Sequence, residues 1–266
     1  MKEKIISIIN QKGGVGKTTT VINLAAGLSL SNKKILVIDL DPQGNATTGL
    51  GLSNVDQTSN SIYQILSGTK KIEHAISKTK FSNLDIITSN VDLSGLEVET
   101  ADNVRRAYIL KERLASYLNN SSGSYDYVLI DCPPSLSLLT IMALVSSNSL
   151  LVPLQTEFFA LEGLTQLMKT IDRIKNNLNP ELSIKGILLT MYDKRNKLSS
   201  EVEKEAREYF KEKVYRTVVP RNVRLSEAPS HGMPVLLYDK NCPGSKSYFN
   251  FTQEFLDQEK VMESAA

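Results

Sequence analysis

A glycine-rich turn that carries two lysines is the segment of the sequence best suited to chemistry. Residues 12–18 read Lys-Gly-Gly-Val-Gly-Lys-Thr and follow the apolar run of residues 5–9. The glycines let backbone N–H groups turn toward an anion, and a helix that begins here adds partial positive charge. We therefore predict a nucleotide phosphate loop, in which Lys17 reaches the phosphates and the Thr18 hydroxyl binds a magnesium ion.

This loop departs from the general pattern G-x-x-x-x-G-K-[ST], because Gln11 stands where the first glycine is expected. The chain has instead an additional lysine, Lys12, five residues before Lys17. Clustered positive charge and unpaired N–H groups cost stability unless an anion satisfies them. A turn that binds nothing would therefore be costly, and the pattern indicates a variant loop in which Lys12 has a task of its own.

Acidic residues follow two further apolar runs. Residues 35–38 are followed by Asp39 and Asp41, and residues 127–130 are followed by Asp131. A carboxylate at the first of these strand ends could orient an attacking water or bind magnesium through water, although both acids there could also be solvated turn residues. An aspartate after four apolar residues has the form of the group that completes the magnesium site of phosphate-loop enzymes.

A third informative region spans residues 219–232, whose two prolines and one glycine predict a rigid, loop-rich connector. It contains Arg221 and Arg224, and guanidinium groups such as these and that of Arg195 suit phosphate contacts. Residues 185–246 hold 13 Lys and Arg against 8 Asp and Glu, while the whole chain has a net charge of only +2. This excess could face a polyanion, or it could belong to a solvated surface of mixed charge.

Short β-branched runs alternate with longer helical segments along the chain, and several of the runs are apolar throughout. This alternation predicts an α/β fold: a doubly wound, mostly parallel sheet with helices on both faces and ligands at the carboxyl ends of its strands. The predicted strands are residues 5–9, 35–38, 84–88, 127–130, 150–152, 187–190 and 214–219. The predicted helices are residues 18–30, 105–118, 137–145, 160–178 and 200–212.

Composition and length narrow the class of protein further. The 266 residues are 41% hydrophobic, enough for one sizeable core, and without an internal linker they predict a single domain over residues 1–266. The two cysteines, Cys132 and Cys242, are too few for a disulfide scaffold and lack metal-type spacing. No signal peptide or run of eighteen apolar residues is present, which predicts a cytoplasmic protein.

Taken together, these motifs resemble those of the ParA-type partitioning ATPases, in the branch with no DNA-binding extension ahead of the phosphate loop. Residues 12–18 are similar to the deviant Walker A motif of that family, and residues 39–45 resemble its first switch. Residues 131–135 resemble its Walker B motif and second switch, and residues 219–232 its C-terminal signature. The resemblance covers nearly the whole chain and implies a P-loop NTPase fold of the deviant Walker A type.

The resemblance implies a slow, magnesium-dependent ATPase that uses ATP, releases ADP and forms a homodimer when ATP is bound. Its catalytic residues would be Lys12, Lys17, Asp41, which positions water, and Asp131. Magnesium would lie on Thr18 and, through water, on Asp131. The nucleotide would be held by Lys12, Gly13, Gly14, Val15, Gly16, Lys17, Thr18, Thr19, Pro220 and Asn222.

Within this resemblance, Lys12 would cross the dimer interface to the partner subunit's nucleotide, and Gly13 would lie at the interface, where a side chain would obstruct it. Arg195 and Arg224 would form a surface that binds double-stranded DNA without sequence preference. A ParB-type centromere-binding protein would stimulate hydrolysis and release the dimer from DNA. The protein would therefore be nucleoid-associated, with either chromosome or plasmid as cargo.

Three alternatives share the phosphate loop: a membrane-cycling ATPase of the septum-site type, an iron–sulfur reductase-like protein, and a scaffold that binds nucleotide without hydrolysis. The first needs a basic amphipathic C-terminal helix. The C-terminal segment has apolar residues but is acidic, so an anionic bilayer would repel it and we predict that it packs on the protein and binds no membrane. Its apolar residues and charges are Tyr248, Phe249, Phe251, Phe255, Leu256, Glu254, Asp257, Glu259, Glu263 and Lys260.

Overall fold

An eight-stranded sheet forms the centre of the protein, and the computed structural model describes residues 4–52, 60–120 and 125–265. The strands are β1 (Lys4–Ile8), β2 (Ile35–Asp39), β3 (Ile76–Lys78), β4 (Leu84–Ile87), β5 (Tyr127–Asp131), β6 (Ser149–Gln155), β7 (Ser183–Tyr192) and β8 (Val214–Pro220). Their order across the sheet is β3-β4-β2-β5-β1-β6-β7-β8, and every neighbouring pair is parallel except β3 and β4. The prediction of a mostly parallel, doubly wound sheet is confirmed.

Helices cover both faces of this sheet, because its central strands are apolar on both sides. The helices of the described residues are α1 (Lys17–Leu30), α2 (Asn45–Gly49), α3 (Ile62–Leu66), α4 (Leu96–Glu99), α5 (Ile109–Asn120), α6 (Leu138–Ser146), α7 (Ala160–Asn177), α8 (Lys197–Phe210), α9 (Val223–Glu227), α10 (Val235–Tyr238) and α11 (Pro243–Ala265). On β2, Ile35 and Val37 pack with α1 and α11, whereas Leu36 and Ile38 pack with α5 and α6. One sheet joins the described residues, and on this basis we propose a single domain.

The seven strands and five helices predicted from the sequence are present, with ends shifted by a few residues. The prediction that residues 219–232 form a loop-rich connector is wrong in detail, because the segment holds the end of β8, helix α9 and a 3₁₀ turn over Ala228–His231. The side chain of Asn222 caps α9 by accepting the backbone N–H of Arg224, and Pro229 lies at the start of the 3₁₀ turn, where a missing N–H costs little.

Helix α11 packs its aromatic side chains on the sheet, as the apolar pattern of the C-terminal segment predicts. Tyr248, Phe251 and Phe255 are fully buried, and the Phe255 ring lies 5.7 Å from that of Tyr127 in an edge-on arrangement. Phe249 is the exception, at 52% exposed. Within the described residues, no helix combines the length and apolar character needed to cross a membrane.

One acid of this segment does not contribute to a repulsive acidic surface. Glu259 is buried and pairs with both Lys4 at the start of β1 and Lys185 in β7. Burial alone would raise the pKa of Glu259, but the hydrogen bonds from Lys185 and Lys4 outweigh that effect and lower it. Sequence position could not reveal this pairing, because the three residues lie far apart in the chain. The side chain of Glu263 lies outside the described residues.

We expect Phe255→Ala to lower the free energy of unfolding by about 3–5 kcal/mol, because a fully buried ring is replaced by a cavity. Urea unfolding followed by circular dichroism measures this change. Phe249→Ala in the same helix is the control, and its effect should stay within about 0.5 kcal/mol because that ring is half exposed. Equal effects of the two substitutions would contradict the packing of α11 described above.

Candidate nucleotide site

The phosphate loop connects the carboxyl end of β1 to the first turn of α1. Gly14 and Gly16 have φ values of 75° and 92°, a left-handed backbone that favours glycine, and Gly16 is the N-cap of α1. The Val15 carbonyl accepts a hydrogen bond from the Thr190 hydroxyl at 2.8 Å, which ties the loop to β7. Gly13 differs from its neighbours: its φ is not left-handed, and an added Cβ would approach only Pro134, at 3.9 Å. The subunit itself therefore does not require glycine at position 13.

The two lysines of the loop have different surroundings. Lys17 is buried, and its ammonium donates to the Lys12 carbonyl at 3.0 Å across the loop. Burial lowers the pKa of Lys17, and the charges of Asp131 and Asp41 partly oppose this. The Lys12 side chain is instead 50% exposed, and its ammonium forms an ion pair with Glu157, in the connection between β6 and α7. The loop thus directs one ammonium inward and holds the other at the surface.

Three carboxylates, those of Asp39, Asp41 and Asp131, lie close together at the carboxyl ends of the adjacent strands β2 and β5. Asp39 and Asp131 are paired in the sheet register, and both are fully buried. Burial raises the pKa of Asp39 to about 6, although hydrogen bonds from Thr47 hold it down. Burial also raises the pKa of Asp131 well above its usual value, as does the charge of Asp39, with Thr18 and Lys17 acting in the opposite direction. The expectation that Asp39 could be a solvated turn acid is wrong.

A pocket of about 690 Å³ opens beside the phosphate loop, between the loops that follow β1, β2, β7 and β8. Nine of the residues predicted to bind nucleotide or act on it line this pocket: Gly13, Gly14, Gly16, Lys17, Thr18, Thr19, Asp41, Pro220 and Asn222. Three predicted residues do not. The Val15 side chain is buried beneath the loop, Asp131 lies fully buried at the end of β5, and Lys12 turns toward Glu157.

Further residues outside the predicted set of nucleotide-site residues complete the pocket, and they include Arg221, whose guanidinium was expected to suit phosphate contacts. Thr190 and Met191 contribute from the end of β7, and Met191 has a left-handed φ of 51°, a strained conformation of the kind found at functional sites. The position of these residues at the carboxyl end of a parallel strand was the available signal. The others, which come from five separate segments, are Ile22, Gln43, Asn45, Thr48, Pro134, Val219, Arg221, Leu225, Ser226, Pro229, Ser230 and Tyr248.

The polar groups beside Lys17 fit a magnesium ion. Both carboxylate oxygens of Asp131 are buried and have no hydrogen-bond partner among the described residues, which is costly for an ionised group. Magnesium prefers oxygen ligands and keeps several of its waters, so one hydroxyl and one carboxylate suit it. No three His, Cys, Asp or Glu side chains of the described ranges form a group able to hold a metal by themselves. Thr18, water and bound phosphates would therefore supply most ligands.

Arg195 lies in the loop after β7, and Arg224 lies in helix α9, which follows β8; β7 and β8 are neighbouring strands at one edge of the sheet. Both are substantially exposed, and both are paired within the subunit. Arg195 donates twice to Asp193, and these bonds lower the pKa of that carboxyl to about 2. Arg224 pairs with Glu227 at 2.7 Å and with Asp239 at 3.5 Å. Any phosphate contact by either arginine must compete with these carboxylates.

A parallel sheet, a glycine loop that leads into a buried lysine, and a carboxylate at the end of a neighbouring strand define a P-loop NTPase. A family model described as an AAA domain matches residues 3–184. The chain is 50% identical over 263 residues to the chromosome partitioning protein ParA of Caulobacter vibrioides, covering 99% of this chain and 97% of that protein. It is 47% identical to the chromosome-partitioning ATPase Soj of Treponema pallidum, with 95% and 97% covered. The chain therefore belongs to the ParA/Soj family of chromosome-partitioning ATPases, as its motifs suggest.

A solved structure supports the same fold. The cobyrinic acid a,c-diamide synthase of Mycobacterium smegmatis, determined with bound ADP and magnesium, superimposes with a TM-score of 0.83 at 32% identity. The match covers 97% of this chain and 96% of that one. The activity for which that synthase is named differs from that of the partitioning proteins, whose higher identity to this chain decides the family.

Proposed function

We propose that this ATPase binds ATP with magnesium, dimerises on ATP, binds DNA without sequence preference, and leaves DNA when a ParB-type partner stimulates hydrolysis. The observation that carries this proposal is that the two lysines of the phosphate loop direct their ammonium groups to different places. Lys17 lines the nucleotide pocket of its own subunit, whereas the Lys12 ammonium lies outside that pocket at the surface. A second lysine that does not serve its own pocket is available to the nucleotide of another subunit.

The pocket offers complementary groups for each part of ATP. Lys17 and the N–H groups of the glycine loop would hold the phosphates, and Thr18 with water bound to Asp131 would hold magnesium. Bound magnesium would supply charge neutralisation at the phosphates. Pro220 and Asn222, across the pocket from the loop, would contact the adenine. The related synthase with bound ADP and magnesium supports this assignment for the nucleotide and metal.

Asp41 would orient the water that attacks the terminal phosphate. Its side chain lines the pocket, and its Oδ1 accepts the backbone N–H of Gln43 at 3.0 Å, which leaves its other oxygen for water. Because phosphoryl transfer depends on positioning and on charge neutralisation more than on covalent chemistry, a single misplaced group slows it strongly. A slow intrinsic rate that a partner raises is consistent with such a site.

Dimerisation would place the phosphate loops of two subunits face to face. Gly13 supports this arrangement, since its own subunit leaves room for a side chain there and an opposing loop would not. Lys12 would leave Glu157 and contact the partner's nucleotide. The DNA-binding surfaces of the two subunits would then act together. ATP would thus control assembly, and assembly would double the number of DNA contacts.

For the DNA surface, we expect Arg195→Ala and Arg224→Ala each to weaken binding of random-sequence duplex in ATP and to make its salt dependence shallower. Each arginine would contact DNA twice per dimer, so the slope of log K against log salt should fall by about 2 per substitution. A fluorescence anisotropy titration across a salt series measures both quantities. The control is Arg173→Ala, because Arg173 is exposed near the end of α7, which leads to the amino end of β7, whereas Arg195 and Arg224 follow the carboxyl ends of β7 and β8. Slopes equal to that of the unmodified protein would remove both arginines from the DNA surface.

The membrane-cycling alternative has less support than DNA binding. The aromatic side chains that would enter a bilayer are the buried Tyr248, Phe251 and Phe255, which contact the sheet instead. The iron–sulfur alternative would need cluster ligands at a dimer axis, and both Cys132 and Cys242 are buried. A turnover assay with and without magnesium separates the proposed enzyme from a scaffold that only binds nucleotide.

A further inference from the structure

The loop that carries Asp41 is closed at both ends by one buried carboxylate, that of Asp39. Its Oδ1 accepts the backbone N–H of Asp41 at 3.2 Å. Its Oδ2 accepts both the backbone N–H and the hydroxyl of Thr47, at 2.8 and 2.7 Å. Residues 39–47 are thereby held as a ring, with Gly44 at a left-handed φ of 63° providing the turn between Asp41 and α2.

Thr47 extends this connection to a second strand. The Thr47 hydroxyl donates a hydrogen bond to Asp39, and its oxygen also accepts one from the backbone N–H of Ser89 at 3.1 Å, just beyond the end of β4. Thr47 is fully buried, so no water competes for these bonds. It also does not line the nucleotide pocket, although Asn45 and Thr48 on either side of it do. Its hydroxyl therefore acts on the loop and not on the ligand.

We propose that Thr47 is a positioning residue for hydrolysis, which fixes Asp41 by bridging Asp39 to the backbone after β4. The inference rests on the proposed role of Asp41 in orienting water. A valine at this position keeps the shape of the side chain but leaves the Asp39 carboxylate and the Ser89 N–H without one partner each. The loop would then have more freedom at the point where the attacking water must be held, while the phosphate loop would be unchanged.

Steady-state ATP hydrolysis by Thr47→Val and Thr47→Ser tests this role. The valine variant should lose about tenfold in kcat, equivalent to about 1.4 kcal/mol in the barrier, with little change in the KM for ATP. The serine variant keeps the hydroxyl and should restore most of kcat. Ser146→Ala is the control for loss of a buried hydroxyl, because Ser146 donates only within α6, to the Met142 carbonyl. Thermal unfolding of each variant separates loss of fold from loss of rate.

An unchanged kcat in Thr47→Val, an increase in KM alone, or a serine variant as slow as the valine variant would each overturn the proposal. If the valine variant is too unstable to assay, Thr47→Ala and Thr47→Ser form the deciding pair, since they differ only by the hydroxyl. Asp41→Ala in the same assay keeps the two claims apart. Full turnover in Asp41→Ala would refute the proposed role of Asp41, whereas a slow Thr47→Ser alongside an inactive Asp41→Ala would refute only that of Thr47.

Discussion

Lys12→Ala should bind ATP as a monomer, fail to dimerise on it, and therefore bind DNA only weakly. Its own pocket keeps Lys17, Thr18 and the glycine loop, so nucleotide affinity should change little. The dimer loses a charge that would contact the partner's phosphates away from water, which costs about 2–5 kcal/mol, or at least about thirtyfold in dimer affinity. Sedimentation velocity in the presence of ATP or ADP measures the assembly directly.

A substitution of Glu157 provides a second test of the role of Lys12. In the free subunit the Lys12 ammonium is paired with Glu157, and forming the dimer would require that pair to separate. Glu157→Gln should therefore leave dimer affinity unchanged or raise it by up to about fivefold, the range expected for a partly exposed ion pair. Lys175→Ala, at the far end of α7, is the control for loss of a surface lysine. If Lys12→Ala assembled as tightly as this control, the role of Lys12 between subunits would be wrong.

Lys17→Ala should have the opposite profile, losing ATP binding itself and with it all measurable turnover. Lys17 is the buried cation of a site that also holds Asp41 and Asp131, so its removal leaves an acidic pocket that repels phosphates. We expect nucleotide affinity to fall by about a hundredfold or more, since charge-assisted bonds to phosphate are the strongest contacts available there.

Titration with a fluorescent ATP analogue, together with a phosphate-release assay, measures both losses for Lys17→Ala. Lys34→Ala is the matched control, because Lys34 is exposed just before the amino-terminal end of β2. Near-normal nucleotide binding by Lys17→Ala would show that the pocket beside the phosphate loop is not the nucleotide site.

Most of the sheet could be predicted from the sequence because its strands are buried on both faces and read as continuous apolar runs. Strand β3 escaped prediction, since Ile76–Lys78 is short, lies at the sheet edge and has only partly buried or exposed side chains. Helix α11 was not predicted as a helix because its aromatic residues are spread among polar ones. The same aromatic residues nevertheless predicted correctly that this segment packs on the protein.

The residues of the site also fall into those that the sequence could predict and those that it could not. The glycine loop and the acids after β2 and β5 could be found in the sequence, because each is a local pattern at a strand end. The ion pair of Lys12 with Glu157 and the contribution of Met191 to the pocket could not, because they depend on which distant segments the fold brings together. Asp39 was ambiguous for a different reason: a carboxylate near a turn is solvated or buried according to its partners, and here Thr47 supplies them.

The most direct test of a nucleotide site shared between subunits is to mix Lys12→Ala and Lys17→Ala and to measure ATP turnover over a range of concentrations. Each variant alone should be inactive, since Lys12→Ala cannot assemble the dimer and Lys17→Ala cannot bind ATP. In a mixed dimer, the Lys12→Ala subunit binds ATP through its own Lys17, and the other subunit supplies the missing Lys12. We predict that turnover reappears in the mixture and rises with protein concentration. If the mixture stays as inactive as its components at concentrations where the unmodified protein dimerises, Lys12 acts within its own subunit and does not contact the partner's nucleotide.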